Sequence, residues 1–215
     1  MNGSNVQGVL LAGGLARRMG GGDKPLRTLG GRPILDHVIA RARPQVANLL
    51  LNVNGDPARF ASYGLPTAVD VIEGHAGPLA GILTGLEWAA ATAPDARWVA
   101  SFATDAPFFP EGLVVRLIAE TEAADADMAC AMSGGRTHPV FAIWPVRLRN
   151  ELRAAMETEY MRKIDAWTER YRIVHVDFAA EPVDPFFNIN KPENLAEAEK
   201  LYAAGGLSDA FEAAS

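Results

Sequence analysis

Short apolar runs rich in β-forming residues alternate with stretches of helical periodicity along most of the chain, and this alternation constrains the fold more than any other feature. "VQGVLLA" reads as a strand, and the stretch "RPILDHVIARA" then places Ile34, Leu35, Val38, Ile39 and Ala42 at helical spacing. The same grammar repeats. Strand "ANLLLNV" is followed by a helix around "PARFASYG", strand "TAVDVI" by helix "GPLAGILTGLEWAAATA", and strand "RWVASFAT" by helix "PEGLVVRLIAETEAA" before strand "ADMACAM". Strands separated by helices need crossover connections, so the expected class is α/β, with a mostly parallel central sheet covered by helices on both faces. After Ser133 the pattern loosens. "HPVFAIW" and "YRIVHVDF" read as strands, "VRLRNELRAAMET" and "YMRKIDAWTE" as helices, and "PENLAEAEKLYAAG" as a closing helix, all annexed to the same sheet. No repeat or linker divides the chain, and one domain spanning 6–204 is expected, with 1–5 and 205–215 as frayed tails.

In open α/β sheets ligands bind beyond the carboxyl ends of the strands, where loops diverge and helix N-termini point at the crevice. Polar residues stop the strands on that edge: Gly13 and Gly14 after the first, Asn52 and Asn54 after the second, Asp70 near the end of the third, Asp105 after the fourth, and Asn188 and Asn190 before the last helix. Each alone is an ordinary turn or cap residue. Together they mark one edge.

The first of these loops is chemically the richest. "LLAGGLARRMGGGDKPL" combines glycines at 13, 14, 20, 21 and 22 with Arg17, Arg18 and Lys24, against a formal net charge of −6 for the whole chain. An acidic chain with a local cationic site suits a small anion better than a nucleic acid or a membrane surface. Two common nucleotide-binding patterns fail here. Lys24 is followed by Pro25 where a Walker loop needs Ser or Thr, and the loop runs on too long for the dinucleotide fingerprint. What remains is a flexible backbone with many N–H donors and three cations, which is the chemistry of a polyphosphate cradle. Asp105, in "ATDAPFF" at the end of a buried strand, is placed to hold a magnesium ion that takes one carboxylate and completes its shell with phosphate and water.

Several other chemistries lack their residues. The single Cys130 lies in the apolar "DMACAM" and permits no internal disulfide or thiolate cluster. There is no G-x-S-x-G and no paired His and Cys; His37 and His175 read as structural, while His138 in "GGRTHPVFA" divides between a turn role and a ligand contact. No apolar run is long enough to span a bilayer and the start lacks the form of a signal peptide, so a cytoplasmic location is expected. Gly77, Gly81 and Gly85 recur at four-residue spacing and leave one helix face bare, to meet another backbone or a flat base.

These stretches, "LLAGGLARRMGGGDKPL", "GPLAGI", "TDAPF", "THPVFA" and "FNINKPENL", closely resemble the molybdenum cofactor guanylyltransferases, from Val6 to about Leu201. The resemblance implies a three-layer Rossmann-like nucleotidyltransferase fold and transfer of GMP from GTP, with magnesium, to the terminal phosphate of molybdopterin, releasing pyrophosphate. It implies GTP contacts from Leu11, Ala12, Gly13, Gly14, Lys24, Asn52, Asp70, Gly77, Pro78, Leu79 and Asp105. Arg18, Lys24 and Asp105 would be catalytic, with Asp105 on the metal. Arg136, His138, Asn188 and Asn190 would face molybdopterin, and transient contacts with molybdenum-insertion proteins and molybdoenzyme chaperones would follow. Gly77 to Gly81 would lie on the nucleobase side and Gly85 against the sheet. The chain departs from the family at Lys191, where Thr usually precedes the Pro; losing that N-cap costs about 1 kcal/mol of helix stability. Cytidylyl transfer to molybdopterin, transfer to another phosphate acceptor, and a noncatalytic carrier of molybdopterin or nucleotide remain alternatives.

Overall fold

The computed structural model describes residues 6–12, 24–74 and 77–205. Along them run β1 (Val6–Leu11), β2 (Thr28–Leu29), β3 (Arg32–Pro33), α1 (Ile34–Ala42), β4 (Asn48–Asn52), β5 (Thr67–Ala68), α2 (Pro78–Thr92), β6 (Trp98–Ala103) and α3 (Leu113–Ala123). The second half adds β7 (Met128–Ser133), β8 (Arg136–Pro145), α4 (Arg149–Thr158), α5 (Ile164–Thr168), β9 (Ile173–Phe178) and α6 (Pro192–Ala203). Seven strands form one sheet in the order β5-β4-β1-β6-β8-β7-β9, in which β8 alone runs antiparallel to its neighbours.

Strand pleating sends alternate residues to opposite faces, and each face has its own core. On one, Leu10, Leu51, Ala100, Phe102 and Ile143 pack with α1, α3 and Ala198 of α6. On the other, Val9, Leu50, Val99, Cys130 and Trp144 pack with α2, α4 and α5. This is the expected mostly parallel sheet between two helical layers. Burial pushes the Cys130 thiol up to about 12, so it stays protonated as a core residue. No helix among the described residues is long and apolar enough to cross a membrane.

The strand order explains where the site lies. From β1 the chain moves outward through β4 and β5, then returns to place β6 on the other side of β1. The connections therefore diverge between β1 and β6 and open a crevice at their carboxyl ends. Because β8 is antiparallel, its N-terminal residues arrive at that same edge: the last pair is Ser101 with Ala142, and residues 136–141 run on beyond that pair toward the crevice. A two-residue turn of Gly134 (φ 52°) and Gly135 (φ 76°) makes the tight β7–β8 hairpin, a left-handed backbone that favours glycine. Between Cys130 and Ala131 the pairing jumps from Ala142 to His138, so Pro139, Val140 and Phe141 bulge toward the crevice.

Some expected elements are shorter. The strand read over 67–72 stops at Ala68, since the following residues leave the sheet to bring Asp70 onto Asn52 and Asn54. The helix around 57–64 is a 3-10 segment, Pro57–Tyr63, capped at its start by the Asp56 side chain. Helix spans only Ile164–Thr168 of the stretch read as helical over 160–169. The β2–β3 hairpin inside the first long loop has strands too short for a periodicity signal.

Candidate active site

A cavity of about 820 Å³ opens at the carboxyl ends of β1, β4 and β6. Its floor is backbone. Leu11 and Ala12 end β1, and the chain there is pinned to both neighbours: Ala12 N donates to Asn52 O at 2.9 Å and Thr104 Oγ1 donates to Leu11 O at 3.0 Å. Gly13, Gly14 and Arg18, expected next in this loop, lie outside the described residues.

Lys24 and Asp105 meet at the centre. The Lys24 ammonium donates to Asp105 Oδ2 at 2.5 Å and also to Asn190 Oδ1, so it joins the strand that carries Asp105 to the segment before α6. Both side chains of the ion pair are largely covered, at 13% and 23% exposure, where charge is screened less than on an open surface. Asp105 does not cap α3: Gly112 occupies the cap position and the Gln45 side chain accepts from Val114 N at 2.9 Å. Its backbone carbonyl instead accepts from Ile189 N at 2.7 Å, which fixes the Asn188 to Asn190 segment beside it. Lys191 supplies no capping side chain to α6; Asn194 Oδ1 compensates by accepting from Lys191 N at 3.1 Å and Asn190 N at 3.3 Å.

One wall is a clamp around Asp70. Asn52 Nδ2 donates to Asp70 Oδ1 at 2.9 Å and Asn54 Nδ2 to Asp70 Oδ2 at 2.8 Å, while Asp70 N donates back to Asn54 Oδ1 at 3.3 Å. Asn52 is only 2% exposed and its amide also donates to Ala68 O, so its side chain orients Asp70 and has no free donor for a ligand. The N-terminus of α2 stands next to it, with Gly77 at φ 75° and Pro78 lining the cavity. Leu79 does not line it; its side chain is fully buried in the core. Gly81 also differs from its expected role. A Cβ there would lie 2.4 Å from Asn52 Oδ1 and 2.7 Å from Leu11 Cδ2, so the bare position is filled by Asn52 and Leu11 and no nucleobase fits against it. At Gly85 a Cβ would sit 2.9 Å from Val9, the close helix–sheet contact that was expected.

The opposite wall is β8 and the segment before α6. Arg136, Thr137, His138 and the bulged Pro139 to Phe141 line it, together with Asn188; Asn190 holds Lys24. His138 is 8% exposed, stacks on Phe186 with ring centroids 4.5 Å apart, and has its Nε2 2.7 Å from Ser133 Oγ. Ser133 Oγ donates to Asp184 Oδ1 at 2.8 Å. Burial lowers the His138 pKa below its ordinary 6.5, the Asp184 carboxylate opposing and the Arg136 charge assisting, so the ring is neutral near pH 7. His37, by contrast, is structural, with Nε2 2.9 Å from Leu29 O and its ring edge on Tyr202. Asn54, Thr104, Ser133 and Asp184 were missed as site residues. Asn54 carried a signal as a strand stop, but Ser133 and Asp184 had none, being separated by 51 positions.

No group of three or more His, Cys, Asp or Glu able to hold a metal occurs among the described residues. A single carboxylate that already attracts a cation suits a hard ion completing its shell with phosphate and water, and does not suit zinc.

The model of the MobA-like NTP transferase domain matches residues 8–174. A molybdenum cofactor guanylyltransferase of Bradyrhizobium sp. (strain ORS 278) is 57% identical over 198 residues, covering 92% of this chain and 93% of that relative. One of Nitrobacter hamburgensis is 54% identical, covering 94% and 96%. Among solved structures, molybdopterin-guanine dinucleotide biosynthesis protein A from Archaeoglobus fulgidus matches with a TM-score of 0.73 at 23% identity, covering 92% of this chain and 99% of that one.

Proposed function

The chain belongs to the MobA-like NTP transferase family, and from that premise we propose that the crevice around Lys24 and Asp105 is where it transfers GMP from GTP to molybdopterin. The chain is a nucleotidyltransferase, a molybdenum cofactor guanylyltransferase, and its product is the guanine dinucleotide form of the cofactor. The observation that carries the site assignment is the position of the Lys24–Asp105 pair between two chemically different walls of one cavity.

GTP lies on the Asp70 side. The Asp70 carboxylate, held by both asparagines, accepts hydrogen bonds from N–H or O–H groups of the nucleoside, while Leu11, Ala12 and the N-terminus of α2 present backbone to it. The triphosphate lies against Lys24, the described end of the glycine-rich loop. Molybdopterin lies on the Arg136 side, with its terminal phosphate directed at the centre by Arg136, Asn188 and Asn190.

A phosphate oxygen of molybdopterin attacks the α-phosphorus of GTP. One P–O bond forms as the bond to the β-phosphate bridge breaks, and pyrophosphate leaves with that electron pair. The nucleophile is already ionised, so no general base is needed, and rate comes from positioning and charge neutralisation. Asp105 would hold a divalent metal, magnesium in this reading, which when bound neutralises phosphate charge and polarises the P–O bonds under attack. Lys24 moves from Asp105 and Asn190 Oδ1 to the triphosphate, and the Asn190 amide can then turn its Nδ2–H donor to the acceptor phosphate. Parallel reactions of molybdopterin and magnesium with GTP or CTP test the reading by the dinucleotide formed. Guanine product is expected; cytosine product would overturn the nucleoside side, and no product with either would overturn the acceptor.

A further inference from the structure

A serine hydroxyl has one proton to give. Ser133 Oγ lies 2.8 Å from Asp184 Oδ1 and 2.7 Å from His138 Nε2, and a carboxylate oxygen can only accept. The proton of Ser133 is therefore committed to Asp184, and the contact with the ring must be a donation from His138 Nε2–H. In the neutral imidazole this leaves Nδ1 with a lone pair, and no hydrogen bond to Nδ1 occurs among the described residues. His138 lines the cavity.

We propose that Ser133 and Asp184 are positioning residues that hold His138 as the Nε2–H tautomer, so that its Nδ1 accepts a hydrogen bond from an N–H group of the acceptor's heterocycle. The inference rests on the molybdopterin side assigned above and narrows it. A lone pair repels a phosphate dianion, so the phosphate falls to Arg136 and the asparagines, and His138 reads the pterin ring. Asp184 Oδ1 also accepts from Phe186 N at 2.9 Å, and Phe186 stacks on His138. One carboxylate oxygen thus fixes the edge of the imidazole through Ser133 and its face through Phe186. The charged groups that face the ring are Asp184 and Arg136, and the Cys130 thiol behind it stays neutral.

The test is long-range ¹H–¹⁵N NMR of the protein labelled with [¹⁵N]histidine, with His138 assigned by His138→Gln. The free protein should show His138 with a protonated Nε2 and a bare Nδ1. Ser133→Ala should mix the tautomers, and Asp184→Asn, whose Oδ1 keeps both hydrogen bonds, should preserve the original one. Titration with molybdopterin should shift the Nδ1 resonance, and Ser133→Ala should raise the KM for molybdopterin about tenfold with the KM for GTP unchanged. A protonated Nδ1 in the free protein would overturn the tautomer assignment. An Nδ1 resonance unmoved by molybdopterin, in an enzyme that makes the dinucleotide, would overturn ring recognition. Failure to make any dinucleotide would instead overturn the functional reading and ring recognition with it, while the spectrum of the free protein still decides the tautomer.

Discussion

Gly81 and Gly85 stand one helical turn apart on α2 and neither has room for a methyl group without a shift, yet they should behave differently when given one. At Gly81 the added Cβ meets Asn52 Oδ1 at 2.4 Å, and at Gly85 it meets Val9 at 2.9 Å. Ala gains about 1 kcal/mol over Gly in helix propensity, and overpacking costs about 1–3 kcal/mol, so each variant should lose about 1 kcal/mol net. With an m-value of about 2 kcal/mol/M, the urea midpoint should fall by about 0.5 M in both. The difference lies in what is pushed. Val9 is core, whereas Asn52 orients Asp70 through a hydrogen bond of 2.9 Å to a carboxylate, a class that contributes about 1.5–3 kcal/mol. Losing about half of that alignment should raise the KM for GTP by about tenfold in Gly81→Ala and leave it near the parent value in Gly85→Ala. Steady-state kinetics at saturating molybdopterin, beside urea denaturation of all three proteins, measures both. Equal GTP KM values in the two variants would refute the argument that Asn52 serves the nucleotide through Asp70.

Asp105→Ala should abolish transfer while the thermal midpoint falls only modestly, because Ile189 N still donates to the backbone carbonyl and Lys24, losing its carboxylate, keeps Asn190 Oδ1; retained turnover would remove the metal role. Lys24→Ala should lower kcat/KM for GTP by about 10- to 100-fold, the range for losing one charge-assisted hydrogen bond, and unchanged GTP kinetics would count against the cradle. The His138 pKa is lowered in the folded state, so between its ordinary 6.5 and the lower native value the unfolded chain binds the extra proton. Stability carried by the neutral ring is thus complete above about pH 6.5 and lost as pH falls below it; urea midpoints at pH 7.5 and 5.5 should converge in His138→Gln compared with the parent.

Alternation of strand and helix patterns was enough to read the sheet, its two helical layers and the edge on which polar residues gather, since those patterns are local and repeat. The strand at β5 was read too long and the 3-10 segment at Pro57–Tyr63 as an ordinary helix, while the β2–β3 hairpin was not legible, because two-residue strands and single turns have too few positions to show a period. Among site residues, Lys24, Asp70, Asp105 and Asn188 could be named from residue type and position after a strand or before a helix, and all four line the cavity.

Contacts at long separation are a different matter. Nothing in "GPLAGILTG" says that the space at Gly81 is taken by Asn52, nor that Leu79 turns into the core while Pro78 faces the cavity. Lys24 reaches Asn190 across 166 positions and Ser133 reaches Asp184 across 51, and both contacts depend on the sheet order that sets β1 and β6 side by side and brings β8 in from the opposite direction. The sequence by itself determined which groups stand at the edge of the sheet, because backbone periodicity and turn chemistry are properties of neighbours along the chain. Which group holds, orients or blocks another was decided only by tertiary packing, because a hydrogen bond depends on distance and direction in space.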